Sequence, residues 1–212
     1  MNYNTYLFDF DGTLVDSMPA YVSAVQKILD KYNIKYGDDL IKIITPLGGD
    51  GTAEYFQSIG VNESKEDILK MIGEYVYVEY LHNIETKKYV SETLEKLKGK
   101  GAQLSILTAC PHVLLDPCLE RLGIKKFFTN IWSSDDFKTS KTDVELYRII
   151  ADKLGKPAGE VIFFDDNLNA LKTAKTAGFS VCGVFDEASG DCVEEIKNIA
   201  DYYIYDFSEI KE

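Results

Sequence analysis

The 212 residues carry 23 Lys and Arg against 35 Asp and Glu, a formal net charge of −12. That balance argues against nucleic acid and membrane surfaces as partners, because both reward Lys and Arg; it suits a protein that recruits a metal cation before it handles an anion. Apolar residues make up 45% of a chain long enough for one or two domains. Cys110, Cys118, Cys182 and Cys192 lack C-x-x-C spacing and only His82 and His112 accompany them, so neither a zinc site nor a disulfide framework is expected. The start, Met-Asn-Tyr-Asn-Thr, has neither the basic nor the apolar stretch of a signal peptide. No apolar run approaches the ~18–20 residues of a bilayer span. A cytoplasmic protein with reduced thiols is expected, as a monomer or weak homodimer.

The first predicted element is a strand over residues 6–10. Tyr6, Leu7 and Phe8 imply burial, yet the run ends on Asp9 and Asp11. Buried carboxylates are costly unless something cationic pairs with them. Residues i and i+2 of a strand share a face, so the two carboxylates are expected to converge at or just past the strand's end, where Gly12 and Thr13 turn the chain. Such a pair suits a divalent cation, a nucleophile with its acid/base partner, or both. The interval 16–85 then shows no strand. Met18, Tyr21, Val22, Val25, Leu29 and Tyr32 follow helical spacing, as do Ile68, Leu69, Ile72, Val76 and Tyr80, with Ser64 and Asp67 placed as a cap. The glycine-dense residues 45–51 read as a loop between helices, and Gly48 and Gly49 as its candidates for reaching a substrate.

Residues 103–108 read as the next strand, ending on Thr108. A hydroxyl there, followed by free N–H groups, can bind a phosphate oxygen; a plain turn threonine is the alternative. Lys141 precedes a helix over 142–154. Thr142 and Glu145 have capping-box spacing, Val144, Tyr147, Ile150, Ala151 and Leu154 share a face, and Gly155 stops the helix. The helix dipole opposes a lysine at that end unless an anion offsets it. A solvated lysine is the plainer reading, and Lys138 competes for the role. Residues 161–164 form another apolar strand, leading into Asp165, Asp166 and Asn167. Adjacent strand residues face opposite ways, so one acid is expected in the site and the other in support. A helix through Leu168, Leu171 and Ala174 stops at Gly178, and strands follow at 180–185 and, more weakly, 202–205. The alternation predicts an α/β fold, a Rossmann-like parallel sheet core with its active site outside the carboxyl ends of the strands. The helical interval predicts an inserted all-helical domain, 16–85, splitting a core of 1–15 and 86–212.

The ordered set of acid pair, hydroxyl, lysine and acid pair resembles the haloacid dehalogenase-like hydrolase superfamily over essentially the whole chain. Asp9-Phe10-Asp11-Gly12-Thr13 is its most specific motif. The stretch from Lys141 to Tyr147 is similar to the family's Lys-Pro-Asp-Pro-Glu segment, with Thr142 and Val144 at the proline positions, and the spacing from Asp166 to Gly178 also matches. The helical interval resembles the cap of phosphoglycolate-phosphatase-like and phosphoglucomutase-like members, which is expected to close over the site and select the substrate.

The resemblance implies that Asp9 is a nucleophile forming an aspartyl-phosphate and that Asp11 is the general acid/base. It implies Mg²⁺ held by the Asp9 carboxylate, the Asp11 carbonyl and Asp166. Phosphoryl oxygens would be bound by Thr108, Lys141 and the N–H groups of Asp11 and Ala109. Asp165, which replaces the glycine of many relatives, and Asn167 would support the metal's surroundings. Ala170 stands where relatives often carry Asp or Asn, with Asn167 or Asn169 in reach to compensate. Cys110 and His112 follow the hydroxyl motif as pocket-lining or plain loop residues. Asp11 favours phosphate esters over haloacids, because a departing halide needs no proton. The expected activity is Mg²⁺-dependent hydrolysis of a small phosphorylated metabolite. A sugar phosphomutase and a non-catalytic regulatory domain are the alternatives. The absence of a basic cluster near residues 48–51 favours hydrolysis, and the four filled motif positions favour catalysis.

Overall fold

The computed structural model describes residues 1, 3–37, 39–44 and 47–210. The chain divides into two units, Ser17–Ile84 on the one hand and Met1–Asp16 with Glu85–Glu212 on the other.

In its described residues the first unit is built of helices: α1 (Met18–Lys31), α2 (Leu40–Ile44), α3 (Gly48–Ser58) and α4 (Lys65–His82). Pro19 opens α1, where a missing N–H costs nothing. Ser64 caps α4 by accepting the Asp67 N–H at 3.1 Å. Val25, Ile28, Leu29, Phe56, Ile68 and Ile72 bury the apolar stripes of these helices in one core. One expectation is corrected here: Gly48, Gly49 and Gly51 form the first turn of α3 and not a loop. Thr45 and Pro46, the start of the expected loop, lie outside the described residues. Glycine at a helix start is tolerated because that turn's N–H groups lack intrahelical partners in any case; the sequence cue for a loop and for such a turn is the same.

The second unit is a six-stranded sheet of β1 (Thr5–Phe8), β2 (Gln103–Thr108), β3 (Asn130–Ser133), β4 (Val161–Asp165), β5 (Ser180–Val184) and β6 (Tyr202–Ile204). Every pairing is parallel, in the order β3-β2-β1-β4-β5-β6. Parallel pairing needs crossovers that cover both faces, so the inner strands are buried throughout and read as continuous apolar runs. Leu7, Leu107, Phe163 and Val181 pack on one face against α7 (Val144–Leu154) and α8 (Leu168–Thr176). Tyr6, Phe8, Phe164 and Phe207 stack on the other, with Phe8 and Phe164 ring centres 4.9 Å apart. The chain steps one way from β1 through β2 to β3 and the other way from β4 to β6. The strand order therefore reverses beside β1, the place where open α/β sheets bind ligands.

β3 was not anticipated: it is short and only partly buried, so it lacks the apolar run that marks the inner strands. β1 stops at Phe8, two residues earlier than expected, although the Asp9 N–H continues the ladder to the Phe164 carbonyl at 2.8 Å. The cap of α7 is Asp143, one residue beyond the expected Thr142; its carboxylate accepts the Glu145 N–H at 2.9 Å. Gly155 ends α7 in the left-handed conformation at φ 65°.

Candidate active site

Four segments at the carboxyl ends of β1 and β4 and in the loops near them supply the site. Asp9 is the residue after β1 and is 3% exposed, whereas Asp165 closes β4 with no exposure. Both Asp165 and Asp166 reach Asp9, and carboxylate oxygens of the three lie within 4.8 Å of one another. The opposite-face expectation for the adjacent acids is thereby corrected. Alternation ends with the strand at Asp165, and the bend that follows brings Asp166 round to the same side.

Lys141 enters this group from the loop before α7. Its Nζ lies 2.8 Å from Asp9 Oδ1 and 2.8 Å from Asp165 Oδ2. The anionic partners that justify a lysine near a helix amino terminus are thus the protein's own acids. Lys138 instead occupies a left-handed turn position, φ 52°, after the short helical turn Ser134–Phe137. Tyr147, fully buried, shares its hydroxyl between the carbonyls of Lys141 (3.0 Å) and Ala170 (3.2 Å), tying the lysine loop to the start of α8.

The two acids of the second pair have different surroundings. Asp165 Oδ1 accepts the Asn167 N–H at 2.7 Å and Oδ2 faces Lys141, so both its oxygens are engaged by the protein. Asp166 Oδ2 accepts the Ser189 hydroxyl at 2.8 Å, with Thr13 Oγ1 at 3.4 Å from Oδ1. Gly12 is required beside it on two counts. Its φ is +73°, and a Cβ there would stand 2.7 Å from Asp166 Oδ1. Asn167 does not reach the acids with its side chain: that oxygen caps α8, accepting from Asn169 (2.9 Å) and Ala170 (3.2 Å). Its support for Asp165 is the backbone N–H alone. Ala170 is buried in the core beneath α8. Ser189, in the turn Glu187–Cys192 after β5, is not singled out by its sequence context; the one cue to it is its place past a strand's carboxyl end.

Asp11 lies in the turn after Asp9, bridged to Val15 and partly exposed, and its carboxylate is not one of the three in the acid group. Thr108 ends β2, two residues past the partner of Phe8, and is buried; its Oγ1 accepts the Cys110 N–H at 3.0 Å, while Ala109 between them is exposed. His112 opens α6 (His112–Arg121) and faces Asp116 (3.1 Å) and Asp136 (3.0 Å) with its two ring nitrogens. Those contacts, Asp136 foremost, hold its pKa above the usual imidazole value. Gly48 and Gly49 belong to the helical unit and are not among these segments.

Three carboxylates against one ammonium leave a surplus of negative charge in an enclosed space. Burial first, then the charge of Asp9, pushes the Asp166 carboxyl up to about 6, with the Ser189 bond opposing. Burial raises Asp165 likewise, against the pull of Lys141. For Lys141 burial works in the other direction, but Asp165 and Asp9 outweigh it and hold the ammonium charged. Asp9 Oδ1 is buried, and the Lys141 ammonium that lies 2.8 Å from it is shared with Asp165. An all-oxygen group with surplus negative charge fits a hard divalent cation.

The fold and site are those of an α/β protein with a lysine-braced acid group at the point where its parallel sheet reverses strand order. The family pattern of haloacid dehalogenase-like hydrolases matches residues 6–184. A pyrophosphatase of Bacillus velezensis is 31% identical over 182 residues, covering 84% of this chain and 81% of that protein. A phosphorylated carbohydrates phosphatase of Thermotoga maritima is 27% identical over 173 residues, covering 81% and 80%. Among solved structures, a Thermotoga maritima protein described as a beta-phosphoglucomutase superposes with a TM-score of 0.83 at 25% identity, over 95% of this chain and 94% of that one. A Bacillus subtilis hydrolase of the same class, bound to magnesium, shares the fold with a TM-score of 0.82 at 18% identity, over 99% and 97%. The chain belongs to the haloacid dehalogenase-like hydrolase family. Among the described residues no helix is long and apolar enough to cross a membrane.

Proposed function

We propose that the chain is a Mg²⁺-dependent phosphatase that hydrolyses a small phosphate monoester through an aspartyl-phosphate on Asp9. The observation that carries this reading is the acid group itself, three carboxylates within 4.8 Å of one another against a single ammonium. Asp9, Asp166 and the Asp11 carbonyl would hold the ion, which when bound supplies the positive charge that lets an anionic nucleophile meet an anionic phosphate. The magnesium of the Bacillus subtilis hydrolase supports that choice of metal.

In the first step an Asp9 oxygen bonds to phosphorus and the ester P–O bond breaks, while Asp11 gives its proton to the departing alcohol oxygen. In the second, water bonds to phosphorus, Asp11 takes the water's proton, and the acyl-phosphate P–O bond breaks, freeing inorganic phosphate and Asp9. Lys141, Thr108 and the N–H groups of Asp11 and Ala109 bind the phosphoryl oxygens as charge develops on them. Asp165 and Tyr147 keep Lys141 in place for this. Residues 1–15 and 86–212 act as the catalytic core and 16–85 as the cap that selects the substrate. Relatives named for phosphorylated carbohydrates and phosphoglycolate support a small phosphorylated metabolite as the substrate.

The test is release of inorganic phosphate from p-nitrophenyl phosphate with Mg²⁺ present. Asp9→Asn is expected to remove activity by about four orders of magnitude or more. The variant should melt no lower than the wild type, because it removes one of the uncompensated charges. Equal turnover in the two proteins would overturn the mechanism.

A further inference from the structure

The turn that carries Ser189 is built unlike an ordinary surface turn. Asp186 starts it, accepting the Ala188 N–H at Oδ1 (2.9 Å), while the Ser189 N–H bonds the Asp186 carbonyl (3.2 Å). The other carboxylate oxygen of Asp186 meets Lys87 Nζ at 2.7 Å, in an ion pair whose side chains are 16% and 6% exposed. Lys87 Nζ also donates to the Phe185 carbonyl at 2.6 Å, so a single ammonium grips both sides of the turn's first residue. The Lys87 backbone N–H is in turn bonded to the Leu14 carbonyl at 2.9 Å, in the turn that contains Gly12 and Thr13. A continuous set of contacts thus runs from the segment after Asp9 through Lys87 and Asp186 to Ser189, and ends on Asp166 Oδ2.

A buried ion pair of this kind adds little to stability compared with apolar packing, but it fixes where its neighbours lie. A carboxylate that binds a metal is usually held by a further hydrogen bond, which sets the direction of its remaining lone pairs. Ala170 provides no side-chain hydrogen bond on α8, so the donors to Asp166 come from outside that helix. We propose that Ser189 is a positioning residue for the metal-binding carboxylate of Asp166, held in register by the Lys87–Asp186 pair. The proposal rests on the divalent-cation reading above. It gives the turn after β5 a part in metal binding although none of its side chains belongs to the acid group.

The experiment is a titration of the whole protein with Mn²⁺, followed by loss of the free-ion signal in electron paramagnetic resonance, together with thermal melts. Wild type is expected to bind and Asp166→Asn to lose binding. Ser189→Ala should bind about tenfold more weakly with its melting temperature little changed, and Ser189→Thr, which keeps the hydroxyl, should recover most of the affinity. Lys87→Met should show a smaller loss than Ser189→Ala. Folded Ser189→Ala that binds Mn²⁺ as tightly as wild type overturns the inference and leaves the cation reading standing. Wild type that does not bind Mn²⁺ overturns the cation reading, and this inference with it. If Lys87→Met fails to fold, the serine pair alone decides the role of Ser189.

Discussion

Glu79 in the helical unit and the acid group in the sheet unit are both carboxylates withdrawn from water, and they are satisfied in opposite ways. Glu79 accepts from Lys27 at 2.5 Å, Ser23 at 3.1 Å and Asn83 at 2.7 Å, one acid matched by one cation and two neutral donors. Burial alone would raise its pKa, yet those donors outweigh burial and hold it below the ordinary range. In the sheet unit one ammonium faces three acids, and Asp166 moves upward. The first arrangement is balanced by its own donors, whereas the second sets three acids against the one ammonium of Lys141. Burial alone therefore does not distinguish the two acids' surroundings; the balance of partners does.

The largest stability effect should come from Lys141→Met, which leaves the buried acids without their counter-charge. A loss of about 3–5 kcal/mol in urea unfolding at neutral pH is expected, with Mg²⁺ restoring part of it. A cost near zero would break the contrast with Glu79.

Magnesium itself should stabilise the wild type by about 2.7 kcal/mol at roughly 100 times its Kd, and the increment should depend on pH. A carboxyl raised in the fold favours folding while protonated, a contribution present below the ordinary carboxylate range and lost as pH rises through about 6 for Asp166. The gain in melting temperature from Mg²⁺ should accordingly grow from pH 5 to pH 7.5. A gain that shrinks over that interval would contradict the surplus of charge.

Lys27→Met sharpens the other side of the comparison. Lys27 is 44% exposed, and Glu79 keeps Ser23 and Asn83, so a loss of about 1 kcal/mol or less is expected, with no recovery on adding Mg²⁺. The smallest effect belongs to His112. Its raised pKa means that its contacts with Asp136 and Asp116 stabilise the fold fully below the unfolded imidazole value and fade as pH rises through the higher folded one. His112→Asn should therefore lower the melting temperature at pH 6 and leave it nearly unchanged at pH 9.

The inner strands were legible because parallel strands buried on both faces must be apolar along their whole length, as residues 103–108 and 161–164 are. Residues 130–133 were not, because an edge strand has one neighbour and a partly exposed face, and its sequence carries no such requirement. The glycines at 48–51 signalled a break without saying whether a loop or a helix start would follow it. Asp9, Asp165, Asp166 and Lys141 could be picked out singly, since each is a charge next to an apolar run or a helix start. Ser189 and Tyr147 could not, because a serine in a turn and a tyrosine on an apolar helix face are ordinary in sequence.

What the sequence by itself determined is the parallel α/β core, the long helical interval and the acids that end β1 and β4, all consequences of local periodicity and the cost of burying charge. The tertiary structure decided who partners whom. It brings Asp165 and Asp166 to the same side, turns Lys141 inward against Asp9, caps α8 with Asn167, and lays Ser189 on Asp166. The Lys141–Asp9 and Ser189–Asp166 contacts span 132 and 23 positions, so only the strand order and register could set them.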